Sequence, residues 1–100
     1  MAKLKSLADK VVWITGASSG LGKALARECA LQGAQVVLTS RRYDELESVR
    51  VGLLKPEQHL SIAADITDES QVRHAYEQVL ACKGRIDWLI NNAGLSQRAL

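Results

Sequence analysis

The sequence has few cysteines and histidines, and this limits the chemistry that it can carry. Of its 100 residues, two are cysteine and two are histidine. Cys29 and Cys82 lie far apart, each in a predicted helix, so they match neither a disulfide framework nor a metal-ligand spacing. We expect both to be small buried or half-buried side chains. Nothing around His59 or His74 has the spacing of metal ligands, so the sequence predicts no metal site.

Long hydrophobic runs and a large excess of charge are also missing. No stretch approaches the roughly 18 apolar residues of a membrane span, and the amino-terminal MAKLKSLADK lacks the apolar core of a signal peptide. The net charge is only +2, and the basic residues are scattered, which argues against a nucleic-acid interface. We therefore expect a cytoplasmic protein that binds neither nucleic acid nor membranes.

What is present is the composition of an ordinary globular domain, with 47% hydrophobic and 24% charged residues. Short apolar runs, typical of strands buried on both faces, alternate with longer amphipathic stretches. The runs predict four strands, at Val11–Thr15, Gln35–Thr39, Leu60–Ala64 and Ile86–Ile90. The amphipathic stretches predict three helices, at Leu21–Gln32, about Arg42–Leu54, and Asp68–Lys83.

The pattern within these helices also predicts their ends and their buried faces. Asp68 is a candidate N-cap of the third helix, and Gly84 lies just past its end. Its apolar stripe comprises Val72, Ala75, Tyr76, Val79 and Leu80. The stripe of the first helix comprises Leu21, Ala24, Leu25 and Cys29. Strand, helix and strand repeat three times, which predicts a Rossmann-type, doubly wound parallel sheet in three α/β/α layers, incomplete at four strands and three helices.

Four distinctive stretches follow the predicted strands, at the sheet edge where α/β proteins bind ligands. They are residues 15–22, 40–42, 65–66 and 91–94. In the first, TGASSGLG, glycines would let the backbone approach a pyrophosphate, and the helix that begins near Leu21 would offer free N–H groups. A plain strand-to-helix turn is the alternative, since the glycine spacing differs from the general dinucleotide fingerprint.

The combination of TGASSGLG with NNAG, and with an aspartate after the third strand, closely resembles the classical short-chain dehydrogenase/reductase family over about residues 10–94. The resemblance implies that the first loop binds the phosphates and ribose of a nicotinamide dinucleotide, through Gly16, Ser18, Ser19, Gly20, Leu21 and Gly22. It also implies that the adenine contacts Asp65 and Ile66, and that the fourth strand is steadied beside the cofactor by Asn91, Ala93 and Gly94. Asn92 also closes the apolar fourth strand and needs a hydrogen-bond partner. A simple turn, in which it satisfies its own backbone, is as plausible for Asn92 as a role in this site.

The residues Ser40, Arg41 and Arg42 occupy the place that usually decides between NAD and NADP. Enzymes that use NAD place an acidic residue about 20 residues past the glycine loop. A guanidinium group can instead bind a 2′-phosphate bidentately, and an anion would offset the unfavourable position of two cations at a helix start. The resemblance implies NADP rather than NAD, with Arg41 as the main contact. Two solvated arginines on a surface turn are the alternative.

The catalytic pattern of the family, Tyr-x-x-x-Lys with a nearby serine and a further asparagine, does not occur in these 100 residues. Tyr43 is followed four positions later by Glu47, and Tyr76 by Leu80. We therefore expect no catalytic residue here. We interpret residues 1–100 as the amino-terminal part of a single NAD(P)-binding domain whose remainder is absent.

The resemblance therefore implies the cofactor-binding half of an NADP-dependent oxidoreductase that interconverts alcohol and carbonyl groups on a small molecule. It further implies a homo-oligomer when the domain is complete. Two alternatives stay open, a non-catalytic dinucleotide-binding or sensing module and a folding or dimerisation fragment with an unused site. A Tyr-x-x-x-Lys sequence downstream of Leu100 would favour the enzyme.

Overall fold

A computed structural model describes residues 6–18 and 20–93 and shows a parallel sheet between helices. The four strands are β1 (Val11–Thr15), β2 (Gln35–Ser40), β3 (Leu60–Ala63) and β4 (Trp88–Asn91). They pair in the order β3-β2-β1-β4, and every pairing is parallel. The connecting helices are α1 (Gly20–Leu31), α2 (Tyr43–Arg50) and α3 (Glu69–Lys83), with a short 3-10 helix at Pro56–Gln58. The predicted Rossmann-type fold is confirmed.

Each face of the sheet has its own apolar core, because successive side chains of a strand point to opposite faces. The core shared with α1 and α2 receives from the two central strands Val12, Ile14, Val36 and Leu38. The core shared with α3 receives from the strands Val11, Trp13, Val37 and Ile62. Since β1 and β2 are covered on both faces, their sequences are nearly continuous apolar runs. The result is three layers, with α1 and α2 on one side and α3 on the other.

The direction in which strands are added reverses after β3. The chain first steps outward from β1 to β2 and then to β3, with α1 and α2 on one face. Helix α3 then crosses the other face and brings β4 to the free side of β1. In doubly wound sheets ligands bind at this reversal, outside the carboxyl ends of the strands. The loop that follows β1 lies at its centre.

The ends of α3 agree with the sequence pattern, but its outer face does not. Asp68 caps the helix by accepting hydrogen bonds from the backbone N–H groups of Ser70 and Gln71, and Gly84 ends it with a φ of 82°. Within the predicted stripe, Ala75 and Val79 are buried, whereas Tyr76 is 48% exposed. The prediction for Tyr76 was wrong because the contact of α3 with the sheet is narrower than the apolar stripe.

The other two helices also differ from the prediction. In α1 the buried residues are Gly22, Ala26, Cys29 and Ala30, while Leu21 is 57% exposed. Small residues, rather than the leucine, let this helix lie close to the sheet. Helix α2 ends at Arg50 and does not continue to Leu54. A turn follows it, in which Leu53 reaches the core, and Lys55, which precedes Pro56, takes a left-handed conformation with a φ of 55°.

Strand β4 and one cysteine are less buried than expected. The strand begins at Trp88 and not at Ile86, and it forms an edge of the described sheet, with Trp88 and Leu89 more than half exposed. Within the described residues, β4 is therefore an exposed edge and is not covered on both faces as β1 and β2 are. Cys29 is buried as predicted, but Cys82, near the end of α3 and beside β3, is exposed.

Candidate functional site

The loops that follow all four strands line one cleft of about 510 Å³ at the carboxyl edge of the sheet. The cleft is lined by most of the residues that the sequence singled out, namely Gly16, Ser18, Gly20, Leu21, Ser40, Arg41, Arg42, Asp65, Ile66 and Ala93. Ser19 and Gly94 lie outside the described residues. Gly22 and Asn91 do not line this cleft. Gly22 is buried beneath the loop, and Asn91 borders a smaller pocket on the α3 side.

Two glycines of the first loop are required by close packing of the chain against itself. A Cβ atom on Gly22 would lie 2.0 Å from the carbonyl oxygen of Gly16. A Cβ atom on Gly16, whose φ is +64°, would lie 2.9 Å from the Cα and N atoms of Ala93. No side chain fits at either position. These two glycines therefore let the loop after β1 lie directly against the chain that leaves β4.

Gly20 has a different surrounding. Its φ is +58°, which disfavours other residues, yet a Cβ atom built there would meet nothing within 4 Å. Gly20 is the first residue of α1 and lines the cleft. The backbone N–H groups of a first helical turn have no partner within the helix, and they carry the positive end of its dipole. An anionic group therefore has both room and donors at this end of α1.

Side chains from the end of β4 hold the glycine loop in place. Asn92 is only 4% exposed, and its Nδ2 atom donates a hydrogen bond of 3.0 Å to the carbonyl oxygen of Gly16. The hydroxyl of Thr15 donates to Oδ1 of Asn91 at 2.9 Å and accepts from the N–H of Ala93 at 3.3 Å. The alternative in which Asn92 only satisfies its own turn is wrong, because its amide bonds a different loop.

The turn after β2 presents two exposed arginines to the same cleft. Nη1 of Arg42 lies 3.4 Å from Oε2 of Glu45, in an ion pair whose side chains are 76% and 47% exposed. Within residues 6–18 and 20–93, the Arg41 guanidinium has neither a hydrogen bond nor an ion pair. The backbone N–H of Arg42 donates to Oγ of Ser40 at 3.4 Å. This side of the cleft is therefore shaped by exposed, solvated side chains rather than by tight packing.

The loop after β3 orients one carboxylate at the cleft. Oδ1 of Asp65 accepts from the N–H and the hydroxyl of Thr67, at 2.9 and 2.7 Å. These two bonds lower the pKa of Asp65, and the nearby charge of Arg41 lowers it further. Oε1 of Gln71 accepts from the N–H of Asp65 at 2.9 Å, while its Nε2 donates to Asp68 at 3.1 Å. The cap of α3 and the loop that carries Asp65 thus form one network.

Three residues that line the cleft were not identified from the sequence, namely Glu45, Ala64 and Thr67, and Asn92 was singled out only with a plain turn as an equal alternative. Thr67 had a local signal, since it stands two positions after an aspartate, as in a turn where the carboxylate accepts from the following backbone. Glu45 had a weaker one, because it lies three positions after Arg42 on a helix. The contact of Asn92 with Gly16 joins residues 76 positions apart, so no local pattern indicates it.

The described part of the chain has neither a metal cluster nor a membrane-spanning helix. No group of three or more histidine, cysteine, aspartate or glutamate residues there could hold a metal ion. None of the helices in residues 6–18 and 20–93 is long and apolar enough to cross a membrane. The polar groups that meet at the cleft are backbone N–H groups, arginines, hydroxyls and the carboxylates of Glu45 and Asp65. The N–H groups and the arginines suit a phosphate-bearing ligand.

Comparison with known proteins gives the same family as the sequence motifs. Residues 10–100 match the family described as short chain dehydrogenase. The chain is 46% identical over 99 residues to human dehydrogenase/reductase SDR family member 7, covering 94% of this chain and 29% of that protein.

Comparison with solved structures leads to the same family. A short chain dehydrogenase from Bacillus anthracis superposes with a TM-score of 0.79 at 42% identity, covering 83% of this chain and 34% of the other. The 3-ketoacyl-(acyl-carrier-protein) reductase from Brucella melitensis, solved with NADH, gives a TM-score of 0.78 at 39% identity, covering 84% and 34% of the two chains. The sequence thus spans about a third of the proteins that it matches.

Proposed function

Since the chain belongs to the short-chain dehydrogenase family, we propose that it forms the cofactor-binding part of an NADP-dependent oxidoreductase that interconverts alcohol and carbonyl groups on small molecules. The single observation that carries this proposal is the cleft, in which an open glycine at a helix N-terminus faces two arginines across the ends of adjacent strands. The bound dinucleotide would accept or donate a hydride, and the residues of this chain would hold and orient it.

The pyrophosphate would lie against the first turn of α1. Gly20 leaves space there, and the backbone N–H groups of the turn supply donors together with the positive end of the helix dipole. Gly16 and Gly22 contribute indirectly, because they let the loop pack against Asn92 and Ala93 and so fix its position. Ser18, Ser19 and Leu21 complete the proposed phosphate and ribose contacts.

The adenosine end would lie between the ends of β2 and β3. Asp65 and Ile66 would contact the adenine, and the fixed carboxylate of Asp65 is a suitable acceptor for its amino group. Ser40, Arg41 and Arg42 would contact the 2′-phosphate of NADP. The preference for NADP over NAD is supported by the Arg41 guanidinium, which lines the cleft and has no ion-pair partner among the described residues, and by the lack of an acidic residue at the end of β2.

The end of β4 would support the site rather than transfer protons. Asn91, Ala93 and Gly94 are proposed to steady the strand beside the cofactor, and the bonds that Thr15 makes to Asn91 and Ala93 agree with that role. We assign no catalytic residue to residues 1–100, because no Tyr-x-x-x-Lys sequence occurs among them. We also propose that these residues form part of one NAD(P)-binding domain, since the relatives are about three times as long.

A non-catalytic dinucleotide-binding module is the second candidate, because the residues that we propose for cofactor binding include no proton donor for the reaction. With the first candidate, the oxidoreductase, we also propose a small-molecule alcohol or carbonyl substrate, a homo-oligomeric assembly and a cytoplasmic location. The two candidates differ in one respect that can be measured, which is turnover.

The deciding experiment compares two forms of the protein. The protein encoded by the natural gene should oxidise NADPH in the presence of a panel of aldehydes and ketones, and its sequence should contain Tyr-x-x-x-Lys downstream of Leu100. Residues 1–100 alone should show no turnover, since general acid–base catalysis is worth about 10²–10⁴-fold and these residues offer no positioned donor. A gene product that binds NADPH without turnover and lacks Tyr-x-x-x-Lys would instead support the non-catalytic module.

A further inference from the structure

The two arginines at the end of β2 are held differently, although they are neighbours in sequence. Arg42 is paired with Glu45, one turn further along the start of α2, whereas the Arg41 guanidinium has no ion-pair partner within the described residues. Glu45 itself lines the cleft together with Arg41, Arg42 and Asp65. A carboxylate therefore lies at the rim where the proposed 2′-phosphate would bind.

We propose that Glu45 is a positioning residue that limits the preference of this cleft for NADP over NAD, by competing with the 2′-phosphate for the Arg42 guanidinium. This inference rests on the proposed function, because it concerns the specificity of the same site. For Arg42 to bind the phosphate, it must either leave Glu45 or keep a carboxylate close to the phosphate. Each course weakens NADP binding, and neither affects NAD, which has no 2′-phosphate.

The position of Glu45, and not merely its charge, carries the inference. Asp44 has the same charge and lies in the same first turn of α2, so it experiences the same helix dipole. Asp44 does not line the cleft and forms no ion pair with either arginine in the described part of the chain. The substitution Asp44→Asn is therefore a control that matches Glu45→Gln in charge and helical turn.

The experiment measures binding of NADP⁺ and NAD⁺ by calorimetry, using the protein that the natural gene encodes and its Glu45→Gln and Asp44→Asn variants. We expect Glu45→Gln to raise the affinity for NADP⁺ by about 1.5- to fivefold, the range that corresponds to an exposed ion pair, and to leave the affinity for NAD⁺ unchanged. Asp44→Asn should leave the ratio of the two affinities unchanged. The gain should shrink at high salt, because exposed charges are screened.

Repeating the Glu45→Gln substitution in a protein that already lacks Arg42 distinguishes an action of Glu45 through Arg42 from a merely structural role of Glu45. In an Arg42→Gln protein, Glu45→Gln should no longer change the ratio of NADP⁺ to NAD⁺ affinity, because the residue through which Glu45 acts is gone. A ratio that Glu45→Gln leaves unchanged or lowers in the natural background would overturn the inference. So would an equal rise in the Arg42→Gln background, which would show that Glu45 does not act through Arg42.

If the proposed function is wrong, the titrations give a different result from the one expected if only the role of Glu45 is wrong. If the unsubstituted protein binds NADP⁺ and NAD⁺ equally, the proposed NADP preference is wrong; a rise in the ratio for Glu45→Gln would still support the role of Glu45. A protein that binds neither dinucleotide contradicts both statements. Glu45 is half exposed, and equal melting temperatures of the variants would exclude a difference in folding as the cause.

Discussion

The glycine loop after β1 and the arginine turn after β2 face the same cleft but are built in opposite ways. In the glycine loop, the backbone packs so closely that a Cβ atom on Gly22 would lie 2.0 Å from a carbonyl oxygen, and a buried Asn92 amide bonds the loop to the end of β4. In the arginine turn, both arginines are exposed, and the ion pair between Arg42 and Glu45 is 3.4 Å long.

The difference separates two properties of the site. A loop fixed by backbone contacts cannot adapt to small changes, so it should determine whether any dinucleotide binds at all. Exposed charges on a helix start can change without disturbing the fold, so they should determine which dinucleotide binds better. Substitutions on the two sides should therefore differ in kind as well as in size.

The largest effect is expected for Gly22→Ala, on the rigid side. The new methyl group must displace Gly16 and the amide of Asn92, so we expect a loss of about 3 kcal/mol of stability and loss of binding of NADP⁺ and NAD⁺ alike. Gly52→Ala is the control, because its Cβ atom would meet only ordinary contacts, the nearest at 3.5 Å. Thermal unfolding and titration with both dinucleotides measure the effect, and a Gly22→Ala protein that melts and binds normally would show that the loop is not rigid.

A smaller and selective effect is expected for Arg41→Asp, on the charged side. Each charge-assisted bond to a 2′-phosphate is worth about 1.5–3 kcal/mol, so NADP⁺ affinity should fall about 10- to 100-fold. NAD⁺ should bind better, because an aspartate accepts from its free 2′-hydroxyl. Arg42→Asp makes the same change in charge, and it should have less effect since Arg42 is already engaged by Glu45. Unchanged NADP⁺ binding in the Arg41→Asp protein would mean that the arginines form only a solvated turn.

The smallest effect is expected at the opposite edge of the sheet, where His59 joins the starts of β2 and β3. Its Nδ1 atom lies 3.0 Å from the N–H of Val36, and its Nε2 atom lies 2.7 Å from the carbonyl oxygen of Leu54. These contacts fit a neutral ring that accepts at Nδ1 and donates at Nε2. Burial lowers the pKa of His59, and the positive charges of Lys83 and Arg50 lower it further; the hydrogen bond to the Leu54 carbonyl and the charge of Glu57 oppose this shift without cancelling it.

This shift makes stability depend on pH in a defined window. Because the unfolded chain binds the proton more readily than the folded one, stability is retained above the unfolded pKa of about 6.5 and falls as the pH drops below it, by at most about 1.4 kcal/mol per pH unit. Asp65, Asp68 and Asp87 also have lowered pKa values, but their contributions are lost only below about pH 4.

Urea unfolding between pH 7.5 and 5 measures the contribution of His59. The His59→Gln protein should show a weaker pH dependence than the unsubstituted protein, whereas His74→Gln, on the exposed face of α3, should keep the original dependence. The ratio of NADP⁺ to NAD⁺ affinity should be the same in all three proteins. A changed ratio in the His59→Gln protein would contradict the separation of the charged side of the cleft from the rest of the sheet.

The sequence predicted the parts of this molecule that depend on local pattern. Repetition of strand and helix predicted the parallel sheet, and the carboxyl ends of its strands indicated where Gly20, Arg41 and Asp65 would meet. Burial was predicted less well, because apolar periodicity favoured Leu21 over Gly22 in α1 and Tyr76 in α3, whereas contact with the sheet favours small residues and a narrow stripe. The hydrogen bond from Asn92 to Gly16 forms because the reversal of strand order places β4 beside β1, and no short stretch of sequence predicts that reversal.

The central claim, that this cleft binds a nicotinamide dinucleotide and prefers the one with a 2′-phosphate, is tested most directly by titrating the protein that the natural gene encodes with NADP⁺ and with NAD⁺ at two salt concentrations. We expect NADP⁺ to bind at least about tenfold more tightly at low salt, as one or two charge-assisted bonds would give. This advantage should decrease at high salt. Equal affinities for the two dinucleotides at both salt concentrations would contradict the account.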